Sequence, residues 1–394
     1  MGRTAVMPYE LSEELVRDVP STPSDVVQPS ADVGMVIRQR EPVNFEYPFQ
    51  QPDTFLTPSS LFYIRSHFKA PALEKDSYAL SVDGAVSTPL SFRYEDLRGM
   101  PSKTLVATLE CAGNSRIFLV PQVEGAQWQL GAVGNAEWTG VPLRHLLEKA
   151  GLFDDATEIV FEGADRGTPK EKPIPPEPIS YARSLLRAKA LSPEVLVAYQ
   201  MNGQVLPQDH GYPVRLIVPG HYGMASVKWL TRIHAMCETF QGYWQTSDYA
   251  YWRHVDGKPV RLPLSEMAIK SQIARPSTYE VVPGGRPYRI FGACWCGDAE
   301  VKEIEISTDG GASWEPAEFL DAPLRFAWRR FQLTWQVPEQ SGRYELMARA
   351  RDSNGQKQPE QHDPDFGTYV INHPFAIEVF VDASKTDSGA SPVR

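Results

Sequence analysis

The sequence predicts an α+β protein in which a mixed α/β domain precedes an immunoglobulin-like β-sandwich. Two observations lead to this fold class. Short β-rich runs and one helical run alternate before residue 258, whereas β-rich runs separated by tight turns follow it. The 394 residues, 42% of them hydrophobic, are enough for two cores. We therefore expect an extended arm over 1–45, a first domain over 46–258, a β-sandwich over 259–383 and a polar tail over 384–394.

The first domain contains one clear helical pattern, the run VPLRHLLEKAGL. Pro142 suits the first turn of a helix, and Gly151 suits its end. Apolar residues recur at helical spacing at Val141, Leu143, Leu146, Leu147 and Ala150. The runs YALSVDGAV, EIVFEGAD and YPVRLIVPG are β-rich and end in turn residues, so we expect three of the strands there. The run PKEKPIPPEP predicts a solvated loop, and the mouth of a pocket is one place where this loop could lie.

The second domain shows strands at short intervals, joined by Asp-Gly-Gly and Asn-Gly turns. The runs are RIFGACWCG, EVKEIEISTDGGASW, FAWRRFQLTWQV, RYELMARARDSNG and PFAIEVFV. This pattern is typical of a β-sandwich. Cys294 and Cys296 flank Trp295 on one of these strands, so both thiols face the same side. A disulfide between them would be strained, and we expect core or surface thiols.

Composition excludes several classes of protein. The net charge of −10 and the lack of a basic block argue against a nucleic-acid partner. No apolar run is long enough to span a bilayer. We see no signal peptide and expect a cytoplasmic protein, or a periplasmic one if a leader has been removed. Four cysteines without a Cys-x-x-Cys pair argue against a disulfide framework, a four-thiolate metal site and attached haem.

The run TLVATLECAGNSRIF places Cys111 at the end of a predicted strand. Ala112, Gly113 and Asn114 are small or turn-forming and let another group approach the sulfur, while Arg116 can attract an anion. A thiolate suits a soft, redox-active metal, but one cysteine cannot hold a metal alone. A cofactor with its own sulfurs would supply the other ligands. On the residues alone, a small buried hydrophobe and a catalytic thiol paired with a histidine stay open as alternatives.

Four motifs resemble those of the sulfite oxidase family, in the family's order. They are FLTPSSLFYIRSH, CAGNSR, LPQDHGYPVRLIVPGHYGMASVKWL and WQTSDYAYW. The resemblance covers residues 50–380. It implies a molybdopterin-binding oxidoreductase domain of the sulfite-oxidase type over 46–258 and a dimerisation domain over 259–383. It also implies a homodimer and a molybdenum cofactor (Mo-molybdopterin). We expect no haem, because no cytochrome domain precedes the molybdenum region.

The resemblance also implies roles for individual residues. Cys111 would bind the molybdenum. Arg65 and Arg116 would hold an anionic substrate, and Tyr249 would point at the metal's exchangeable oxygen. Arg215 and Lys228 are natural partners of the pterin phosphate, because charge-assisted hydrogen bonds to phosphate are strong. The remaining cofactor-binding positions are Tyr63, Ser66, His67, Asp165, His210, Ser226 and Val227.

Three departures from the family pattern bear on the substrate. Ser115 stands where the family has a second arginine, Glu124 stands near an expected lysine, and the run DFGTYVINHPF lacks an expected arginine. The implied function is a molybdenum-cofactor oxotransferase. Its leading reaction is oxidation of sulfite to sulfate, with an external one-electron acceptor such as a cytochrome. The alternatives are sulfane oxidation or sulfoxide reduction with the same cofactor, a thiol hydrolase, and a cofactor-free β-rich binding protein.

Overall fold

A computed structural model of the chain describes residues 34–50 and 54–385. Most of the predicted arm and the end of the predicted tail therefore lie outside the described residues. The described chain is built mainly of strands, and its three α-helices have six, eight and four residues. The first domain thus has less helix than the predicted mixed α/β pattern implies. Most of its strand pairs are antiparallel, and such pairs need only short connections.

The elements before residue 264 follow one another in this order: β1 (Val36–Gln39), β2 (Asn44–Glu46), β3 (Ile64–Arg65), β4 (Ala79–Gly84), β5 (Leu90–Arg93), α1 (Tyr94–Gly99), β6 (Lys103–Glu110), β7 (Val133–Pro142), α2 (Leu143–Ala150), β8 (Glu158–Gly167), β9 (Ile179–Leu186), α3 (Arg187–Ala190), β10 (Leu196–Met201), β11 (Gln204–Val205), β12 (Arg215–Ile217), β13 (Leu230–Met236), β14 (Ala250–Val255) and β15 (Lys258–Pro263). The predicted helix is confirmed as α2. The helix begins at Leu143, because β7 continues through Pro142. It ends at Ala150, and Gly151 caps it with a φ of 69°.

These strands form two five-stranded sheets, a small sheet and a hairpin. One sheet has the order β11-β10-β7-β6, with β12 paired to β10, and the other has the order β5-β4-β13-β8-β9. The small sheet is β1-β2-β3, and the hairpin is β14-β15. The described end of the predicted arm is therefore a paired hairpin and not an extended segment. Its strand β2 pairs with β3, which places it beside Arg65.

The second half contains nine further strands between residue 264 and the last described residue: β16 (Lys270–Arg275), β17 (Val281–Pro283), β18 (Pro287–Trp295), β19 (Val301–Ser307), β20 (Glu315–Pro316), β21 (Glu318–Phe319), β22 (Arg329–Gln336), β23 (Gly342–Asp352) and β24 (Ile377–Asp382). They form two sheets, β16-β18-β22-β21 and β17-β24-β23-β19-β20. A hydrophobic core that contains both Cys294 and Cys296 lies among these strands, so both are buried core thiols.

The two halves of the chain share a core. Trp295 and Trp328 of the second half pack in the same buried cluster as Val141 and α2 of the first. Phe49 makes edge-on contacts with both tryptophans, at ring-centroid distances of 6.3 and 6.4 Å. This packing holds the second half of the chain against the strand that leads into the cysteine motif. None of the helices in the described residues is long and apolar enough to cross a membrane.

Candidate active site

The cysteine motif forms a tight turn at the end of β6. That strand ends at Glu110, and Cys111 is the first residue beyond it. The Cys111 amide donates to Ala132 O at 2.8 Å, and the Asn114 amide donates to Cys111 O at 2.8 Å. Ser115 closes the turn in the left-handed region, with a φ of 77°. Cys111 is only 8% exposed, and it lines two cavities that meet at this point.

The first cavity, called the inner cavity below, spans about 670 Å³, including the solvent space at its mouth. Its walls come from the segment at residues 62–67, the cysteine turn and the loops around β12. Among its lining residues are Tyr63, Arg65, Ser66, His67, Cys111, Asp165, Tyr181, His210, Arg215, Ser226, Lys228 and Tyr249. The structure therefore brings together in one cavity most of the residues that the sequence predicts for cofactor binding.

The second cavity, called the outer cavity, is more open and spans about 1330 Å³, including the solvent space at its mouth. It shares Arg65, Cys111 and Tyr249 with the inner cavity. Both halves of the chain form its walls, which include Arg116, Glu124, Glu171, Lys172, Asp248, Trp252, Arg261 and the segment from Pro364 to Tyr369. Glu171 and Lys172 belong to the run that predicts a solvated loop, and that loop lies at this cavity.

The inner cavity also carries buried positive charge. The Lys228 ammonium donates to Ser66 Oγ and to Asp209 O, both at 2.8 Å. The Arg215 guanidinium donates to His210 O at 2.9 Å and to Ser226 O at 3.0 Å. All of these acceptors are uncharged oxygens. These hydrogen bonds fix the two cations in place without neutralising them.

The pKa values of this cluster reflect its burial, since Asp165 and Asp209 offset only part of the effect of burial and of Arg215 on the pKa of Lys228. Burial lowers the pKa of Arg215 to about 10. Burial and the neighbouring Arg215 lower the pKa of Lys228 as well. Burial raises the pKa of the nearby Asp165, although Lys228 opposes this shift. Each group is thus pushed towards its neutral form, and a bound dianion would reverse the effect on the cations.

His67 and Tyr249 form a hydrogen-bonded pair where the two cavities meet. Tyr249 Oη lies 2.8 Å from His67 Nε2. The imidazole stacks on the Tyr181 ring at a centroid distance of 5.0 Å and touches the Trp244 ring at 4.3 Å. Burial, Arg65 and Lys228 together lower the pKa of His67 well below its usual value. Burial raises the pKa of Tyr249, so both groups are held towards their neutral forms, and the tautomer of the imidazole decides which of the two donates.

Arg65 and Arg116 both line the outer cavity. Arg65 precedes Cys111 in the sequence, and Arg116 follows it. Arg65 Nη1 donates to Ser66 O at 2.5 Å and to Asn44 Oδ1 at 3.3 Å. Arg116 Nε donates to Thr368 O at 3.1 Å, and its Nη1 donates to Ala126 O at 3.0 Å. These acceptors too are uncharged, so both guanidinium groups can attract an anion to the space beside Cys111.

The residues present fit a molybdenum–pterin cofactor. The described residues contain no group of three or more His, Cys, Asp or Glu side chains that could hold a metal ion. A metal beside Cys111 must therefore take its other ligands from a cofactor, and a dithiolene provides soft ones. The two buried cations in the same cavity suit a phosphate. Close to the turn, a Cβ on Gly223 would lie 2.5 Å from Tyr63 Oη, so the glycine allows the Tyr63 phenol to pack closely against the backbone there.

Val227 and Ser115 do not line either cavity. Val227 is 1% exposed and packs in the hydrophobic core, and both its amide and its carbonyl already bond within the protein. Val227 therefore has no free polar group for a cofactor. Ser115, the departure beside the cysteine, points away from both cavities and accepts a hydrogen bond from Gln272 Nε2 at 2.9 Å. Glu124 does line the outer cavity.

Sequence reasoning missed three residues of this site. Asn44 is 1% exposed, and its Oδ1 accepts from the Ser66 amide at 3.0 Å and from Arg65. Tyr181 stacks on His67 and donates to Met224 O at 2.8 Å. Tyr369 donates to Asp248 Oδ1 at 2.5 Å, and the Arg116 guanidinium carbon lies 5.3 Å from its ring centroid. The sequence around Asn44, Tyr181 and Tyr369 contains no local pattern that would have predicted these roles.

The shifted pKa of Lys228 makes anion binding at the inner cavity depend on pH. Because burial lowers this pKa, binding an anion to the charged form requires proton uptake once the pH exceeds the lowered value. We expect the affinity of cofactor-free protein for sulfate, which does not titrate here, to fall about 10- to 100-fold as the pH rises from about 6 to about 9, the worth of one charge-assisted hydrogen bond. Isothermal titration calorimetry in two buffers would measure both affinity and proton uptake.

The Lys228→Met variant is the control for that measurement. It should bind sulfate weakly at every pH, and the residual pH dependence should come from Asp165. Wild-type affinity that does not change with pH would contradict the assignment of Lys228 as an anion-binding cation.

Comparison with known proteins places this geometry in a family. Residues 67–244 match the oxidoreductase molybdopterin binding domain, and residues 261–379 match the Mo-co oxidoreductase dimerisation domain. The chain is 34% identical to mitochondrial sulfite oxidase of Mus musculus over 385 residues, covering 92% of this chain and 69% of that protein. It is also 34% identical to sulfite oxidase of Gallus gallus, covering 90% of this chain and 80% of that protein.

A solved structure shows the same fold. The sulfane dehydrogenase SoxCD of Paracoccus pantotrophus superposes with a TM-score of 0.74 at 28% identity, covering 95% of this chain and 92% of that chain. The dimerisation-domain match fits a homodimer. The two domain matches, the relatives and the cavity beside Cys111 agree, and the chain belongs to the sulfite oxidase family as a molybdopterin-dependent oxidoreductase.

Proposed function

We propose that this enzyme oxidises sulfite to sulfate and passes the electrons to an external one-electron acceptor such as a cytochrome. The observation that carries the proposal is the meeting of two cavities at Arg65, Cys111 and Tyr249. The inner cavity suits a phosphate-bearing pterin, and the outer cavity admits a small anion. The similarity to sulfite oxidases of Mus musculus and Gallus gallus over at least 90% of the chain supports this reading.

The inner cavity would bind the cofactor at the metal and at the phosphate. Cys111 would bind the metal, and Arg215 and Lys228 would bind the phosphate. The polar positions between them would meet the pterin ring, and Val227 would pack behind it; the polar positions are Tyr63, Ser66, His67, Asp165, His210 and Ser226. When bound, the cofactor supplies the oxygen-atom transfer and the two-electron redox chemistry.

The protein's contribution to the reaction is to hold a desolvated anion beside Cys111. A doubly charged oxyanion loses hydration when it enters the narrow space between the cavities. Arg65 and Arg116 offer planar, permanently charged donors in its place. Hydrogen bonds to Asn44, Ser66, Ala126 and Thr368 fix both guanidinium groups before the anion arrives. Such preorganised charge does not have to reorganise during the reaction.

Tyr249 and His67 are placed to handle a proton. Conversion of sulfite and water to sulfate releases two protons and two electrons. Tyr249 keeps its proton at neutral pH, and its hydroxyl shares a hydrogen bond with Nε2 of the neutral His67. Asp248 Oδ2 lies 4.0 Å from the same nitrogen and lines the outer cavity. We propose that Tyr249 orients the substrate, and that this short series of polar groups leads from the reacting centre to solvent.

We also propose the finer organisation of the chain. The sheets of the second half would form an immunoglobulin-like sandwich that carries the dimer contact, with the boundaries at 46–258 and 259–383 given above. The match of residues 261–379 to a dimerisation domain supports the dimer. The cytoplasmic location and the absence of haem stay predictions from the sequence.

Sulfane oxidation is a second candidate function, and two observations favour it. The structural relative SoxCD is a sulfane dehydrogenase. The outer cavity is large, at about 1330 Å³, and it carries Glu124, Glu171 and Asp248 beside its cations. These carboxylates weaken the attraction for a free dianion but leave room for a longer substrate that bears a sulfane sulfur.

A substrate comparison on purified enzyme tests the proposal. Reduction of a one-electron dye acceptor should be followed with sulfite and with a sulfane donor, and oxidation of a reduced dye should be followed with a sulfoxide. For sulfite we expect a KM within the usual range of about 1 μM to 1 mM. A sulfite KM far above that range, together with faster turnover of the sulfane donor, would favour the second candidate. Preparations with about one Mo per chain that oxidise neither sulfur substrate would sink both.

A further inference from the structure

A buried ion pair joins the residue before Cys111 to the second half of the chain. Glu110 is 1% exposed, and its Oε1 accepts from Lys270 Nζ at 2.8 Å. Lys270 is also 1% exposed and begins β16. The other carboxylate oxygen, Oε2, accepts from Trp295 Nε1 at 2.8 Å, at the end of β18. Two strands of the second half thus bind the carboxylate next to the cysteine.

Strand β16 also binds the rest of the cysteine turn. Lys270 Nζ also donates to Asn114 O at 3.2 Å, and Asn114 Nδ2 donates to Glu110 Oε1 at 3.1 Å. Gln272 Nε2 of β16 donates to Ser115 Oγ at 2.9 Å. The turn therefore has one side open to the cavities and the other side held by a network of polar contacts from β16 and β18.

Stability alone is a weak reason for such a pair. A buried ion pair loses the hydration of both charges, and replacement by apolar residues of similar volume is often neutral or stabilising. What the pair does provide is a defined geometry, because each oxygen of Glu110 has a fixed donor. Consecutive Cα atoms are about 3.8 Å apart, so a displacement of Glu110 is passed directly to Cys111.

We propose that the Glu110–Lys270 pair is a positioning device for the Cys111 sulfur, and that β16 and β18 are therefore part of the active-site structure as well as of the dimerisation domain. This inference rests on the proposed role of Cys111 as the metal ligand. Lys270 and Trp295 touch neither cavity, and they act only through Glu110 and the turn. We regard them as positioning residues whose loss changes the metal–thiolate geometry.

The Glu110→Gln/Lys270→Met double variant tests this proposal, because it removes both charges and leaves no isolated buried charge. We expect it to fold and bind molybdenum. Its Mo(V) electron paramagnetic resonance signal and its thiolate-to-metal absorption band should shift relative to wild type. We expect kcat to fall about 10- to 100-fold, the usual effect of altering groups that support a metal ligand, with KM changed much less.

The matched control is Arg275→Met/Glu280→Gln. Arg275 ends the same strand β16, and its guanidinium lies 2.7 Å from Glu280 Oε1, away from the cysteine turn. The control should lower the unfolding temperature without moving either spectrum or kcat. A double variant at Glu110 and Lys270 with a full complement of Mo and wild-type spectra would overturn the proposal.

Two further results separate the possible causes of failure. If the double variant does not fold, Trp295→Phe removes only the indole donor to Glu110; it should shift the same spectra by a smaller amount, and unchanged spectra would overturn the proposal. Wild-type protein without molybdenum, after expression in a host that makes the cofactor, would instead sink the proposed function on which the inference rests.

Discussion

Replacement of Cys111 with serine is expected to lower turnover by more than about 10³-fold, which corresponds to about 4 kcal/mol of transition-state stabilisation. Cys111 is the only thiol that lines the inner and outer cavities in the described part of the chain. A hydroxyl is a harder ligand than a thiolate and stays protonated at neutral pH, so it replaces the sulfur poorly on a soft metal. The protein should still fold, because serine fills nearly the same space at the turn.

Steady-state turnover, Mo content and thermal unfolding should be measured together on this variant. Cys296→Ser is the matched control, since Cys296 is 7% exposed and Cys111 is 8% exposed, but Cys296 lies in the core of the second half. The control should keep its molybdenum and its turnover. Substantial activity in Cys111→Ser would remove Cys111 from the role assigned to it.

The Arg65→Gln variant is expected to lower kcat/KM for sulfite about 10²- to 10³-fold, the range seen when one donor to an anion is removed from an active site. Arg65 lines both cavities beside Cys111 and Tyr249. Glutamine keeps a donor but loses the charge, and it cannot form two parallel bonds to an oxyanion as a guanidinium does. We expect the KM to rise more than the kcat falls, because the guanidinium binds the anion before and during the reaction.

The Arg232→Gln variant controls for the change in net charge. Arg232 lies on β13 and pairs with Asp83, outside the lining of either cavity. It should leave kcat/KM close to the wild-type value. If Arg65→Gln gives the same kcat/KM as this control, the anion does not bind at Arg65.

Much of the site follows from local sequence, because its central feature is local. The run TLVATLECAGNSRIF predicts a strand, a tight turn of small residues and an accessible sulfur, and β6 and the left-handed Ser115 agree with it. The helix α2 could likewise be read from spacing and its terminal glycine. The cations of the inner cavity were different. Arg65 is far along the chain from Arg215 and Lys228, and only the family motifs grouped all three.

The features that the sequence did not reveal depend on distant contacts. Lys270 meets Glu110 across 160 positions, and Tyr369 meets Asp248 across 121. A lysine at a strand start and a tyrosine in a loop are ordinary in isolation, so no local pattern marks either. The amount of helix in the first domain was overestimated for a related reason. Short antiparallel connections were indistinguishable from longer helical ones until the pairing of the strands was known.

One wall of the outer cavity, from Pro364 to Tyr369, comes from the second half of the chain, whereas Arg215 and Lys228 of the inner cavity belong to the first half. Selection can therefore alter what the enzyme recognises by changing this segment, while the cofactor stays in place and keeps its chemistry. A lineage could exchange one sulfur compound for another through a few mutations near the C-terminus, without passing through an inactive ancestor.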